Sequence, residues 1–210
     1  MRSQGMVDTI LEATARVLAK HGYSGTNTNL IAEVAGVSVG SIYQYFPNKE
    51  SLIAALHQRH AMQMRDTIIH VLSRSKKTTL REAMKALVNA QLEAHLVEPK
   101  LHYVLDKAFP FRDLRKNENT AEHDIVGQVK VILGNHRHEI RRPNLEMAVY
   151  IVLKIIESLV HQTVLEPSRR FTLPDIEDAI FEAAFGYLTL PIQRKSKGRE
   201  KISVNMNLNT

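Results

Sequence analysis

Apolar residues return every three or four positions along most of the chain, and no stretch alternates with the period of a strand long enough to matter. The pattern predicts an all-α protein of about nine helices. The first covers Val7–His21, with Ile10, Leu11, Ala13, Ala15, Val17 and Leu18 in a broad apolar stripe and Gly22 as its stop. Asp8 and Glu12 lie in its early turns and Lys20 and His21 in its last, as the helix dipole favours. Two short helices follow. Asn27 caps the one holding Ile31, Ala32 and Ala35, and Gly36 ends it through a positive φ. Ser38 caps the next, in which Val39, Ile42 and Phe46 recur at helical spacing. Pro47 closes that helix, and Asn48 caps a fourth running to about Ser73.

Beyond a polar break at Ser75–Thr79, helices are predicted over Leu80–Val97, Leu101–Phe109, Thr120–Gly134, Leu145–Glu166 and Asp175–Leu190. Pro99 ends the first of these, and Pro110 with RDLRKNEN makes the longest loop. The Leu145–Glu166 helix, capped by Asn144, confines Lys154, Glu157, Ser158 and His161 to one narrow polar stripe. The last helix is apolar on two faces, with Ile176, Ile180, Ala183 and Tyr187 on one and Phe181, Phe185 and Leu188 on the other. Helices of this kind must be covered on more than one side. That predicts a two-fold homodimer, with Val152, Ile156, Phe181, Phe185 and Leu188 as candidate interface residues. Residues 192–210 are polar and basic, and are expected to be a disordered tail.

Within Thr28–Leu52, Ala32 is followed four positions on by Gly36 and six further by Ile42. A small residue where two helices cross, a glycine at the turn and a branched apolar residue beyond lock two helices at a steep angle. This is the helix-turn-helix, whose second helix lies in the major groove of DNA. On that second helix Val39, Ile42 and Phe46 point inward, Gly40, Ser41 and Gln44 point away, and Tyr43 and Tyr45 lie on the flanks. An outward glycine costs about 1 kcal/mol against alanine and makes sense where another surface comes close. Gln44 can pair with an adenine edge, Ser41 with a base or a phosphate, and the tyrosines with phosphates. The bland alternative is that the tyrosines pack and Gln44 is solvated.

Residues 7–52, ILEATARVLAKHGYSGTNTNLIAEVAGVSVGSIYQYFPNKESL at their heart, resemble the DNA-binding domain of the tetracycline-repressor (TetR) family of transcriptional regulators. The resemblance implies a helix-turn-helix domain over 1–52 and a helical ligand-binding and dimerisation domain over 53–191. It implies DNA contacts from Thr28, Asn29, Val39, Gly40, Ser41, Tyr43, Gln44, Tyr45 and Lys49, the last to a phosphate. It also implies a small-molecule cavity among the fourth to seventh helices, for which His102, Tyr103, Phe109 and Phe111 are candidates beside plain core packing. The function expected is a repressor released from a near-palindromic operator by a small molecule. The alternatives are control by a protein partner, or a small-molecule-binding protein with a non-functional DNA head.

Composition narrows this further. The net charge of +6 is mostly a property of the tail, because residues 1–52 hold four basic and four acidic side chains. DNA binding therefore rests on the helix-turn-helix and not on bulk charge. The absence of cysteine excludes disulfide and thiolate chemistry. No apolar h-region follows Met1 and no purely apolar membrane-length window is present, so a cytoplasmic location is expected. No phosphate loop, nucleophile elbow or paired-carboxylate motif points to an enzyme, and no cofactor is expected. His57 and His60, or His136 and His138, have spacings that metals use, but no third ligand accompanies either pair in sequence, so no metal is expected.

Overall fold

The computed structural model describes residues 2–74, 79–108 and 119–191. Among these there are nine α-helices and no strand: α1 (Arg2–Gly25), α2 (Thr28–Ala35), α3 (Val39–Tyr45), α4 (Lys49–Arg74), α5 (Leu80–Leu96), α6 (Pro99–Ala108), α7 (Asn119–Asn135), α8 (Leu145–Leu165) and α9 (Leu173–Thr189). Helix α1 starts earlier than its apolar stripe, and Gly22 interrupts it at φ 66°, the left-handed conformation that suits glycine. Pro99 opens α6 at its first position, where a missing N–H costs nothing. Residues 192–210, where a disordered tail is expected, lie outside the described residues, as do Phe109 and Phe111.

The predicted caps form. The side-chain oxygen of Asn27 accepts from the Leu30 amide at 2.9 Å, that of Asn48 from Ser51 at 2.8 Å and that of Asn144 from Met147 at 3.0 Å. Two further reciprocal caps, Thr79 with Glu82 and Thr172 with Asp175, start α5 and α9. The NHRHEIRRP link holds a single 3-10 turn, Arg137–Glu139, that its composition does not announce.

Two apolar cores result. The head core joins Ile10, Leu18, Ile31, Ile42 and Phe46 to Leu52, Ile53 and Leu56 of α4. Leu101 and Leu105 of α6 belong to the same core. The body core is built from α4, α5, α7, α8 and α9, around Leu72, Met84, Val88, Leu133, Val152, Ile156, Ile180 and Phe181. Each fully buried Leu, Ile, Phe or Val contributes roughly 1.5–3 kcal/mol against exposure.

The buried set corrects the expected interface. Val152, Ile156, Phe181 and Leu188 are buried within the single chain, and Phe185 packs against the same core while stacking on Phe181. Both faces of α8 and α9 are apolar, and the pattern alone did not say which one α5 and α7 would cover. Met147, Leu159, Ala183 and Leu190 are left exposed on these helices and at the end of α9. By length and composition α8 also passes for a membrane-crossing helix. Packing against α5, α7 and α9 buries 33% of that stretch, including Val149, Val152, Ile156 and Val160.

Candidate nucleic-acid interface and effector cavity

The turn between α2 and α3 is closed by Gly36 at φ 67°, with the Val37 amide reaching back to the Ala32 carbonyl at 3.0 Å. Ser38 then caps α3: its hydroxyl accepts from the Ser41 amide at 3.0 Å and lies 2.8 Å from the Ser41 hydroxyl. Ile42 and Phe46 anchor α3 in the head core. Gly40 and Gln44 face solvent, as do Tyr43 (52% exposed) and Tyr45 (37%). Each ring is partly covered by the fold and partly open to solvent. A Cβ placed on Gly40 would meet only the Ser38 hydroxyl, at 3.7 Å. The fold itself has room for a side chain there.

Three of the candidate contact residues also hold contacts within the chain. Val39 packs partly on the head core and keeps the rest of its side chain open to solvent. The Ser41 hydroxyl is engaged by the cap. Lys49 is not a loose surface lysine: its ammonium sits 4.0 Å from the centre of the Tyr23 ring and donates to the Tyr23 carbonyl at 3.3 Å. Tyr23 in turn donates to Glu50 at 3.2 Å. Asn29 is exposed at the start of α2, and the Thr28 hydroxyl lies 3.3 Å from that of Tyr43. Thr28, Asn29, Gly40, Tyr43, Gln44 and Tyr45 thus lie at the start of α2 and along α3, while Lys49, at the start of α4, is held against Tyr23.

The body encloses a cavity of about 620 Å³ between α4, α5, α6, α7 and α8. Along α4 it runs from His57 to Ile68, about 16 Å at 1.5 Å per residue. Beyond the histidines its wall carries the apolar side chains of Met64, Ile68, Leu105, Ile125, Val149 and Leu153. Cations on the wall are already paired: Arg65 with Asp124 at 3.0 Å, Lys130 with Glu146 at 2.7 Å and Lys154 with Glu157 at 2.9 Å.

The end nearest the head holds five imidazoles, His57 and His60 from α4, His95 from α5, His102 from α6 and His161 from α8, and the last four of these draw together. His60 Nε2 lies 3.1 Å from His102 Nδ1. The ring centres of His102 stand 4.8 Å from His95 and 4.9 Å from His161. His95 and His60 are only 3% and 6% exposed. Burial, then the neighbouring imidazoles, push His102 down to about 3. Burial, then His57, His95 and Arg59, push His60 down to about 4. Burial also lowers His95, although the Gln91 carbonyl 2.8 Å from its Nδ1 works the other way. These three rings are neutral near pH 7.

Of the expected pocket residues, His102 lines the cavity; Tyr103 points elsewhere and is 43% exposed. His60, His95 and His161 were missed as a group. The sequence paired His60 with His57, its neighbour on the same helix, whereas His102 and His95, from two other helices, also meet it. Among the described residues no group of three or more His, Asp or Glu is arranged to hold a metal ion.

Two sequence models match: "Bacterial regulatory proteins, tetR family" over residues 10–56 and "Tetracyclin repressor-like, C-terminal domain" over residues 79–188. The chain belongs to the tetR family. Among curated tetR-type relatives, it is 31% identical over 123 residues to the HTH-type transcriptional repressor KstR of Rhodococcus jostii, covering 57% of this chain and 53% of that protein. The chain thus matches about half the length of that repressor. The HTH-type transcriptional regulator TtgR of Pseudomonas putida is 26% identical over 183 residues, covering 80% of this chain and 84% of that one. The tetR-type fold is also that of FadR from Bacillus subtilis, solved in complex with stearoyl-CoA (TM-score 0.69, 21% identity, 86% of this chain and 98% of that chain).

Proposed function

We propose that this tetR-family protein is a sequence-specific DNA-binding transcriptional repressor that acts as a homodimer and is released from its operator by a small molecule in the body cavity. The observation that carries this is the presentation of α3. Ile42 and Phe46 hold one face in the head core, leaving Gly40, Tyr43, Gln44 and Tyr45 on the outside. Two such helices in a symmetric pair reach successive major grooves about 34 Å apart on a near-palindromic site. The exposed apolar residues of α8 and α9, together with the small side chains of Ala179 and Ala183, supply a face for the second copy. The relatives named above are regulators, which supports a cytoplasmic binding protein without catalysis.

Two helices can carry the signal. Helix α6 places Leu101 and Leu105 in the head core and His102 in the cavity. Helix α4 does the same with Ile53 and Leu56 on one side and His57 and His60 on the other. A molecule that moves the imidazole end therefore moves the base of the DNA head. Effector and operator then favour different spacings of the two heads, a reciprocal coupling of roughly 1–3 kcal/mol.

The test is selection of genomic fragments by the full chain, followed by gel shift with Tyr43→Ala plus Gln44→Ala. Loss of retention in the double variant, with the wild-type fold kept by circular dichroism, is expected. A duplex bound by the double variant with unchanged strength and selectivity rules out the contact assignment.

A further inference from the structure

We propose that the imidazole end of the cavity, formed by His60, His95, His102 and His161, takes the carboxylate of an amphipathic organic acid whose apolar body lies along Met64, Leu105, Ile125 and Leu153, and that a proton enters with it. This rests on the reading of the cavity as an effector site and names the chemical class of the effector.

The first ground is an unsatisfied hydrogen-bonding pair. His60 and His102 are joined through one ring nitrogen each, yet His60 Nδ1 and His102 Nε2 are buried without a partner. A neutral imidazole has one N–H and one lone pair, so in either direction of the shared bond one outer nitrogen is a donor and the other an acceptor. Leaving both unmet is costly, and because neither atom is open to the cavity as the rings now stand, a polar ligand group at this end satisfies them by turning the His60 and His102 rings toward it.

The second ground is charge. From α4 the cluster is faced by His57 and Arg59, from α6 by Asp106 and from α8 by Glu157. Asp106 reaches His161 only at 3.7 Å, and Glu157 is occupied by Lys154. No carboxylate of the chain lies at hydrogen-bond distance from His60 or His102 among the described contacts. An incoming carboxylate supplies the missing counter-charge, and an adjacent opposite charge raises an imidazole's proton affinity about 10- to 1,000-fold. The neutral cluster of the free protein then becomes an imidazolium–carboxylate pair, with a net charge change of zero on uptake of acid plus proton. A divalent cation at the same place would add two uncompensated positive charges beside Arg59.

The experiment uses the full chain and isothermal titration at pH values from ~5.5 to ~7.5, with the straight-chain alkanoates hexanoate through hexadecanoate, the matching alcohols, and zinc ion alone. At least one alkanoate is expected to bind about tenfold or more tighter than its alcohol, the gain a charge-assisted hydrogen bond brings. Its affinity should fall as pH rises, by at most about tenfold per pH unit for one proton taken up, while the alcohol's stays level. His102→Gln should abolish both the preference and the pH dependence. His161→Gln, at the more exposed edge of the cluster, should weaken both and serves if the first variant does not fold.

Binding of no alkanoate, equal binding of acid and alcohol, or a level pH profile overturns the inference. Stoichiometric zinc binding that the same variants lose, in a chain indifferent to acids, replaces it with a metal site. Genomic-fragment retention by the same preparation separates the two readings. DNA retained with acids ignored sinks only this inference, whereas acids bound with no DNA retained sinks the regulator reading.

Discussion

The hydroxyl oxygens of Thr28 and Tyr43 lie 3.3 Å apart, joining the first turn of α2 to the outward side of α3 across the turn at Gly36. Both face the side on which DNA would sit, so each can share a phosphate with the other. Tyr43→Phe removes the hydroxyl from an exposed ring. Stability should change by less than about 0.5 kcal/mol. Operator binding should weaken by about 1.5–3 kcal/mol per subunit, the worth of a hydrogen bond to a charged group. Thermal melts and gel shifts on the same samples measure the two effects.

Gly40 separates folding from function more sharply. Since a Cβ there meets only the Ser38 hydroxyl at 3.7 Å, Gly40→Ala should stabilise the head by about 0.5–1 kcal/mol through helix propensity. On the proposed contact through α3, the same methyl group would meet the approaching DNA, so operator affinity should drop. A variant that gains stability and binds DNA as before would show that α3 does not approach DNA through this position.

Lys49 has two roles to lose. Lys49→Ala removes the contact with the Tyr23 ring, worth about 0.5–1 kcal/mol at an exposed site, and urea denaturation should register it. If the ammonium also neutralises a phosphate, the salt dependence of operator binding should become shallower by about one counterion per subunit. An unaltered salt slope would leave Lys49 as a brace for Tyr23 alone.

The exposed small side chain of Ala183 lies on the outward face of α9. Ala183→Arg should convert a dimer to a monomer at micromolar concentration, measured by light scattering, and abolish operator binding with it. The corresponding change at buried Ala184 should instead unfold the body, because it forces a charge into the core.

Stability should depend on pH through the buried histidines. Folded, His60 titrates at about 4 and His102 at about 3, both below the ordinary 6.5. The unfolded chain therefore binds more protons below that value. Their contribution is fully present above pH ~6.5 and is lost as acid carries the solution through ~4 and then ~3, by up to about 1.4 kcal/mol per pH unit for each group. Urea midpoints near neutrality and near pH ~4.5 should differ less for His60→Gln than for the wild type.

How far the sequence could be read depended on how far apart the interacting residues are. Asn27, Ser38, Asn48 and Asn144 act on amides three positions away, and Gly36 acts on its own φ, so each was legible as written. The inward set Ile42 and Phe46 followed from helical periodicity, and with it the outward set Gly40 and Gln44. Lys49 was visible as a cation at a helix start, but its seat on Tyr23 was not, since the two are 26 residues apart with α2 and α3 between them.

The order of helices, their caps and the outward face of α3 were determined by local chemistry: a period of 3.6 residues, side chains that reach three positions, and a glycine where φ is positive. Which apolar face of α8 and α9 is buried was decided only by their packing with α5 and α7, and which histidines meet only by that of α4, α5, α6 and α8. Val152 and Phe181 read as interface residues because a helix apolar on two faces carries no mark of which neighbour will cover it. In sequence His60 pairs with His57, His102 goes with Tyr103 as a pocket candidate and His161 belongs to a polar stripe, each with neighbours on its own helix, and a cluster drawn from four helices comes into being only when the bundle closes.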